Sequence, residues 1–230
     1  MALGPDKLIA AAVPGLLRDL IAFTAETIPL IDASLDFWNI MTYDLMNRRD
    51  TVTKHHTGIT LSLAAVDTYL ERGVPAVKAH LGFPFYIKWF RTDPKANCSI
   101  NPLGCPTLLL EDPSTGADLG HAGGFCWVDN VPGEVATSYA KAMENGQYDP
   151  DDGGHYYWDP EEKIFWSWET PESIALKFPA IMEKKSLGGV FAWGLGEDSK
   201  DWRHVKALTA AYRRYHHLDP GSSGWRKDEL

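Results

Sequence analysis

Short apolar runs alternate with amphipathic segments in the N-terminal part of the chain. The runs "LIAAAV" (8–13), "DFWNIMTY" (36–43) and "AHLGFPFY" (79–86) are apolar almost throughout. This pattern predicts strands that are buried on both faces, as in a parallel sheet. The segment "TLSLAAVDTYLERG" (60–73) has apolar residues at helical spacing and ends in a glycine, so it predicts a helix between the second and third strands.

Residues 16–33 connect the first two predicted strands. Their apolar positions have a mixed helical spacing, and Pro29 is predicted to divide them into a helix and a short approach to the next strand. The resulting order of strand, helix, strand, helix, strand is typical of a parallel α/β sheet.

The pattern changes after Phe90. Residues 91–165 carry all three cysteines and many of the prolines and glycines, and only "EVATSYAKAMENG" shows a helical period, with a helix predicted over 134–145. The aromatic-rich segment 153–170 predicts two strands around a turn at Asp159-Pro160. We therefore predict that residues 91–165 form a small α+β lobe inserted in the α/β series.

The α/β series resumes after this lobe. Thr170 and Pro171 are the residue types favoured at the N-cap and first position of a helix, which is predicted to end at Gly188-Gly189. An apolar strand over 189–195 and an amphipathic helix over 201–215 follow. The predicted divisions of the chain are 1–90, 91–165, 166–217 and a tail over 218–230.

Composition narrows the classes of function. The net charge is −9 and no run of like charges reaches five, which argues against a basic patch for nucleic acid or an anionic membrane. No apolar run approaches the roughly 18 residues of a membrane-spanning helix. The aromatic content of 12% suits stacking on sugars or bases, and a large aromatic core explains it equally well. The same two interpretations, sugar groove or lobe core, apply to Tyr156, Tyr157, Trp158, Trp166 and Trp168.

Cysteine and histidine spacing gives no sign of a metal site. Cys98 and Cys105 flank the loop "CSINPLGC" and are plausible disulfide partners, which would leave Cys126 free. No CxxC or HxxxH pattern accompanies them, adjacent residues such as His55-His56 point apart, and the acidic segment "YDPDDGG" (148–154) reads as a solvated turn. We predict neither a metal nor another cofactor.

The two ends of the chain give conflicting indications of its location. The segment "MALGPDKLIAAAVPGLL" has no basic region before a long apolar run, so it does not predict a signal peptide. The last four residues, "KDEL" (227–230), match an address for retention in the endoplasmic reticulum. Either the true N-terminus lies upstream, or the match at the end is due to chance.

Polar and aromatic residues follow the predicted strands at their carboxyl ends, where ligands bind in parallel α/β folds. Tyr43 and Asp44 end the second strand, and Tyr86 ends the third. Trp193 lies on the strand over 189–195, which Glu197 follows. These side chains are predicted to face a substrate, although capping roles for Tyr43 and Asp44 fit the spacing as well.

Five segments together resemble glycoside hydrolase family 18, the chitinases and chitinase-like lectins. They are "FWNIMTYDL", "GVPAVKAHLGFPFYIKWF", the aromatic insertion, "DPEEKIFWSWETPESIALKF" and "SLGGVFAWGLGEDS", and "NRRDTVTKHHTGI" resembles a fungal variety of the family. The resemblance extends from about residue 7 to residue 215 and covers the C-terminal half of the family. It implies an α/β fold, a partial TIM (β/α)₈ barrel of about strands five to eight with an inserted α+β lobe.

The resemblance also implies a chemistry, the substrate-assisted hydrolysis of β-1,4-linked N-acetylglucosamine polymers such as chitin. Tyr43 and Asp44 match catalytic positions: the phenol donates to the N-acetyl group, and the carboxylate contacts the same sugar. Met41, Tyr86 and Trp193 match substrate-binding positions, with the indole as the floor under the sugar ring. The chemistry needs no cofactor, and the family's usual location is secreted.

One departure from the family is large. The D-x-x-D-x-D-x-E motif, which carries the family's proton donor, does not occur in these 230 residues. We therefore expect a chitinase-like chain that is inactive by itself. The alternatives are a non-catalytic, lectin-like chitin-binding module and an incomplete gene product. Half a barrel has two open sheet edges, so a missing N-terminal half or self-association is expected to cover them.

Overall fold

The computed structural model describes Gly4 and residues 7–217. Four parallel strands form one sheet in the spatial order β1-β2-β3-β9. Their bounds are β1 Ala10–Pro14, β2 Phe37–Met41, β3 Ala79–Pro84 and β9 Gly189–Trp193. The predicted helix between β2 and β3 is α2, Ile59–Glu71. The α/β prediction is thus confirmed.

One face of this sheet is packed and the other is open. Alternate residues of β2 and β3, such as Trp38, Ile40 and Leu81, are fully buried and form a common core with the helices. These helices are α2, α4 (Pro171–Lys177), which continues as a π-type turn over Phe178–Glu183, and α5 (Arg203–Tyr215). The residues that alternate with the core on β2, among them Asn39 and Met41, are partly exposed. Burial of the packed face supplies the driving force for folding.

The two outer strands of the parallel sheet are β1 and β9. Among the described residues, neither of them pairs with a strand on its outer side. A partial barrel has this property, because closing a barrel requires its first and last strands to find a partner.

The inserted lobe is an antiparallel sheet of five strands in the order β5-β4-β8-β7-β6. Their bounds are β4 Tyr86–Arg91, β5 Ala122–Cys126, β6 Gln147–Asp149, β7 Gly154–Asp159 and β8 Ile164–Trp168. The predicted lobe helix is α3, Ala136–Asn145, and the predicted hairpin around Asp159-Pro160 is the β7–β8 pair. Trp166 and Trp168 are buried in the lobe, so these aromatic residues form its core rather than a sugar groove.

The prediction of a single strand over 79–86 is wrong. Pro84 has no amide hydrogen to continue the ladder and ends β3, while Tyr86 opens β4 in the other sheet. Between them, the N–H of Phe85 donates to the carbonyl oxygen of Trp193 at 2.7 Å. The sheet of the lobe therefore runs from Tyr86 to Trp168, beyond the predicted bounds of 91–165 at both ends.

Two further expectations differ from the structure. Residues 16–33 hold a short 3₁₀ turn and helix α1 (Ile28–Asp32), and Pro29 lies in the first turn of α1 instead of breaking a helix. A first-turn amide needs no partner within the helix, so proline is accommodated there. Asp149, in the segment expected to be a solvated turn, is buried and lies 3.0 Å from His55 Nε2.

A disulfide joins Cys98 and Cys105, a pairing that the sequence left open, and Cys126 is free. The disulfide loop is attached to the segment after β2 through Thr53. The Thr53 hydroxyl donates to the carbonyl oxygen of Pro102 at 2.6 Å and accepts from the N–H of Cys105 at 2.9 Å. The lobe therefore fixes the segment that follows Asp44.

Gly188 is where the chain enters β9 against the turn Ala76–Lys78. Its N–H donates to the carbonyl oxygen of Ala76 at 3.0 Å, and a Cβ at this position would lie 1.8 Å from the carbonyl oxygen of Val77. Because a backbone atom cannot move aside cheaply, Gly188→Ala is expected to lower the free energy of unfolding by about 2–3 kcal/mol. Urea denaturation measures this.

Gly133→Ala is the matched control, since a Cβ there meets no atom within 4 Å. It is expected to change the free energy of unfolding by no more than about 0.5 kcal/mol. Equal stability of the two variants would contradict the close contact at Gly188.

Candidate active site

A cavity of about 790 Å³ opens where the carboxyl ends of β2 and β9 meet the lobe. Its volume lies in the range of pockets that hold small ligands. All five residues selected from the sequence line it, namely Met41, Tyr43, Asp44, Tyr86 and Trp193. The structure brings these side chains together, and their individual roles stay predictions.

Asp44 is held from the lobe. Its Oδ1 accepts hydrogen bonds from Tyr86 Oη and Lys88 Nζ, each at 2.9 Å. Oδ2 accepts none from the part of the chain that is described, and the side chain is 49% exposed. The carboxylate is thus fixed through one oxygen and offers the other to the cavity.

Lys88 was not among the residues selected from the sequence. It lies two positions after Tyr86 on β4, and alternate residues of a strand face the same side. That period of two is the signal that could have identified it, provided that β4 had been recognised as a separate strand.

Tyr43 supplies an unpartnered donor. The residue is 7% exposed, and its hydroxyl has no hydrogen-bond partner among the residues that the structure describes. The ring packs edge-on against Tyr86 at a centroid distance of 6.1 Å. Burial, together with the charges of Asp44 and Glu197, raises the pKa of Tyr43, so the phenol keeps its proton at neutral pH. A ligand acceptor would satisfy a group that is otherwise costly to bury.

Trp193, the last residue of β9, presents its indole to the cavity. The residue is 56% exposed, although its backbone is fixed by the hydrogen bond from Phe85. An exposed indole in a cavity wall offers a flat apolar face to a ligand ring.

His56 lies behind Asp44 and Tyr86 and is fully buried. Its ring nitrogens have no hydrogen-bond partner in the described part of the chain, and Nδ1 is 3.9 Å from Asp44 Oδ1. Burial, with the charges of Lys88 and Lys177 adding to it, lowers the pKa of His56 well below its usual value of about 6.5. The imidazole is therefore neutral at pH 7 and supports the site without adding charge.

Ion pairs neutralise the rim of the cavity at the lobe side. Arg48 pairs with Asp118 at 3.0 Å and with Glu111 at 3.8 Å, and Arg49 pairs with Asp19 at 2.8 Å. These contacts cross from the loop after β2 to the lobe and to the segment after β1. No local pattern in the sequence indicates these pairings.

Two further groups line the end of the cavity near Trp193. Glu197 follows β9 and has no ion-pair partner among residues 7–217. Burial and the neighbouring carboxylates of Glu197 and Asp129 raise the pKa of the Cys126 thiol to about 12, so it is protonated and a poor nucleophile.

Within the described range, no group of three or more His, Cys, Asp or Glu side chains is arranged to hold a metal ion.

The sequence profile described as "Glycosyl hydrolases family 18" matches residues 2–198. The chain belongs to this family. The family expectation drawn from the sequence is thus confirmed.

Two curated relatives of this family 18 chain are considerably longer than it is. Nod factor hydrolase protein 1 of Medicago truncatula is 27% identical over 218 residues, which is 91% of this chain and 51% of the relative. Endochitinase 1 of Metarhizium anisopliae is 28% identical over 174 residues, or 71% of this chain and 36% of the relative. The chain thus spans about half the length of these relatives or less.

Solved structures share this fold over about half of their own length. A plant class V chitinase mutant from Cycas revoluta, in complex with (GlcNAc)3, superposes with a TM-score of 0.63 at 21% identity. A chitinase-like agglutinin from Robinia pseudoacacia gives 0.60 at 24% identity. Each match covers 89% of this chain and 55% of the other. The family 18 chain therefore has a TIM-barrel-like α/β fold. None of the helices it forms within the described residues is long and apolar enough to cross a membrane.

Buried neutral histidines make the stability of the chain sensitive to acid. The folded pKa of His56 lies below its unfolded value, so the unfolded state takes up the proton first as the pH falls. Stability is fully present above about pH 6.5 and is lost progressively below it. We expect the free energy of unfolding to fall from pH 7 to pH 5, by at most about 1.4 kcal/mol per pH unit for each such histidine. Urea denaturation at several pH values measures the slope.

His56→Gln is expected to have a shallower slope, because one of the contributing groups is gone. The remaining slope comes from His55, His80, His155 and His204, whose pKa values are also lowered by burial. His217→Gln changes an exposed histidine and is expected to keep the wild-type slope. Identical slopes for wild type and His56→Gln would contradict a neutral, buried His56.

Proposed function

We propose that this chain forms the C-terminal half of a family 18 substrate cleft, about strands five to eight of a (β/α)₈ barrel, and that it binds β-1,4-linked N-acetylglucosamine chains. The observation that carries the proposal is that Met41, Tyr43, Asp44, Tyr86 and Trp193 line one cavity. The relatives named as an endochitinase and a Nod factor hydrolase support a substrate of this class.

Each group has a task in the substrate-assisted chemistry. The N-acetyl oxygen of the sugar attacks its own anomeric carbon, and positive charge develops on the ring. The protonated phenol of Tyr43 donates to the N-acetyl oxygen, and the free oxygen of Asp44 accepts from the N-acetyl N–H. Trp193 packs against the apolar face of the ring. Because Tyr86 and Lys88 already hold Asp44, little reorganisation is needed when the sugar binds.

Cleavage requires a proton on the leaving oxygen, and general acid catalysis supplies about 10²–10⁴-fold in rate. The D-x-x-D-x-D-x-E motif is absent from these 230 residues, which favours a second function, carbohydrate binding without hydrolysis. We therefore propose that the 230-residue polypeptide acts as a lectin-like module unless another chain supplies the acid.

The open sheet makes a covering partner part of the proposal. We propose that an N-terminal barrel half, or a second copy of this chain, covers β1 and β9, since exposed strand edges lead to aggregation. The Cys98–Cys105 disulfide supports an oxidising, secretory location. The "KDEL" segment lies outside the described residues.

Trp193→Ala tests sugar binding. Loss of the indole face is expected to weaken binding of (GlcNAc)4 roughly 10- to 100-fold, because burying an aromatic side chain is worth about 1.5–3 kcal/mol. Isothermal titration calorimetry on the purified chain measures this. Trp202→Ala is the matched control, because Trp202 is 47% exposed and does not line the cavity. If both variants bind as the wild type does, the cavity is not the sugar site.

The same purified chain is used to test for hydrolysis. Incubation of the purified chain with (GlcNAc)4, followed by chromatography of the products, is expected to show no turnover above that of Tyr43→Phe. Turnover by the wild type that this variant loses would contradict the proposed lectin-like function, since an acid within the chain would then have to exist.

A further inference from the structure

One sequence motif lies outside the cavity and has no part in the proposed sugar binding. Asn97-Cys98-Ser99 is the single triplet of the form N-x-S or N-x-T, with x other than proline, in the 230 residues. Triplets of this form accept N-linked glycans on the surface loops of secreted proteins. A short triplet also occurs by chance, so its use depends on how the folded chain presents it.

The disulfide presents this triplet to solvent. Cys98, the middle residue, is bonded to Cys105 and lies in the same buried cluster as Phe90 of the lobe. Asn97 and Ser99, on either side of it, are both exposed. The middle residue therefore anchors the triplet in the lobe, while the two residues that define the motif stay at the surface.

The side chain of Asn97 has a defined geometry. Its Oδ1 accepts a hydrogen bond from the N–H of Ser99 at 3.2 Å, which is the arrangement of an Asx turn. The oxygen holds this turn, whereas the atom that a saccharide joins is the amide nitrogen, Nδ2. A glycan on Nδ2 therefore leaves the hydrogen bond of the turn intact.

The surface beside Asn97 is suited to a hydrophilic cover. Ile100 is 92% exposed, and Pro94 and Lys95 are exposed as well. A glycan is bulky and solubilising, so on Asn97 it would shield the isoleucine from contacts with other molecules. None of residues 97–105, all of which the structure describes, lines the cavity of the candidate active site. The attachment point therefore lies outside that cavity.

Building on the secretory location proposed above, we propose that Asn97 is a modification site. It carries one N-linked glycan in the folded chain, with the Cys98–Cys105 disulfide closed. In the transfer, Nδ2 of Asn97 forms a bond with the anomeric carbon of a saccharide that a lipid-linked diphosphate donates. The bond from that carbon to the diphosphate oxygen breaks, the diphosphate leaves with the electron pair, and Nδ2 loses one proton to the transferase.

The test expresses the 230-residue chain behind a cleavable leader peptide in a eukaryotic host and collects it from cells and medium together. Treatment with peptide-N-glycosidase F is expected to remove the mass of one glycan from the wild type, and peptide mapping is expected to find Asn97 deamidated. Asn97→Gln and Ser99→Ala are each expected to lose this mass shift completely, because each removes one of the two defining residues.

Asn101→Gln is the matched control. Asn101 is exposed in the same disulfide loop, but Pro102 and Leu103 follow it, so it is not an acceptor. This variant is expected to keep the full mass shift of the wild type. Thiol labelling of the denatured, glycosylated wild type is expected to find one free thiol, that of Cys126.

Two outcomes overturn the inference. The first is a wild type whose leader has been removed, which shows entry into the secretory pathway, but which carries no glycan. The second is a glycosylated chain in which all three cysteines are free, since the glycan and the closed loop would then exclude each other. Calorimetry with (GlcNAc)4 keeps the proposed function separate. Sugar binding by a chain without the glycan leaves that function intact, whereas a glycan on a chain that binds no sugar supports the inference alone.

Discussion

A buried ion pair between Glu169 and Lys177 holds the parts of this molecule in one arrangement. Both side chains are almost inaccessible to solvent, and the desolvation of such a pair is repaid only when its remaining polar positions are satisfied. Here Lys177 also donates to the Thr57 hydroxyl at 2.8 Å, and Ser173 donates to Glu169. Removing either partner would leave a buried charge without a counter-charge, which is strongly destabilising.

The location of this pair matters more than its strength. Glu169 directly follows β8 of the lobe, Lys177 ends α4 beside the parallel sheet, and Thr57 lies in the loop before α2. The hydroxyl of Thr57 is 3.2 Å from the carbonyl oxygen of Thr42, the residue before Tyr43. The pair therefore connects both sheets to the backbone that positions the phenol and carboxylate of the cavity.

Local patterns in the sequence predict most of the fold and about half of the residues that form the site. Apolar runs and Thr170-Pro171 are local signals, and they predicted β1, β2, β9 and the start of α4. The division between β3 and β4 at Pro84 was not predicted, because the residues on both sides are apolar. A single apolar run therefore continues through strands of two different sheets. The sequence did not show which aromatic residues lie in the core and which line a groove, since the amino-acid composition is the same in both cases.

The site residues that the sequence did not predict share one property. The role of each depends on contacts between segments that are distant along the chain. Lys88 reaches Asp44 across 44 positions of the chain. His56 is buried where Tyr86 of the lobe packs against its ring and Ser167 Oγ accepts from its backbone N–H. The sequence showed that Glu197 follows a strand, but not that it has no cationic partner among residues 7–217. Strand-end rules identify residues that face a cavity, and only the pairing of charges across it shows which of them stay available to a ligand.

Substrate recognition and proton donation are physically separable in such a site. The groups proposed to recognise the N-acetyl unit, Tyr43, Asp44 and Trp193, are fixed by contacts within this chain, from β4 and Phe85. None of these contacts needs the absent acid motif. The open face of the parallel sheet limits affinity. A cleft with one wall excludes less water than a closed cleft, so each polar contact to the ligand is weaker. Covering that face would therefore raise affinity and, if the cover carries an acid, allow cleavage, without any change in the residues described.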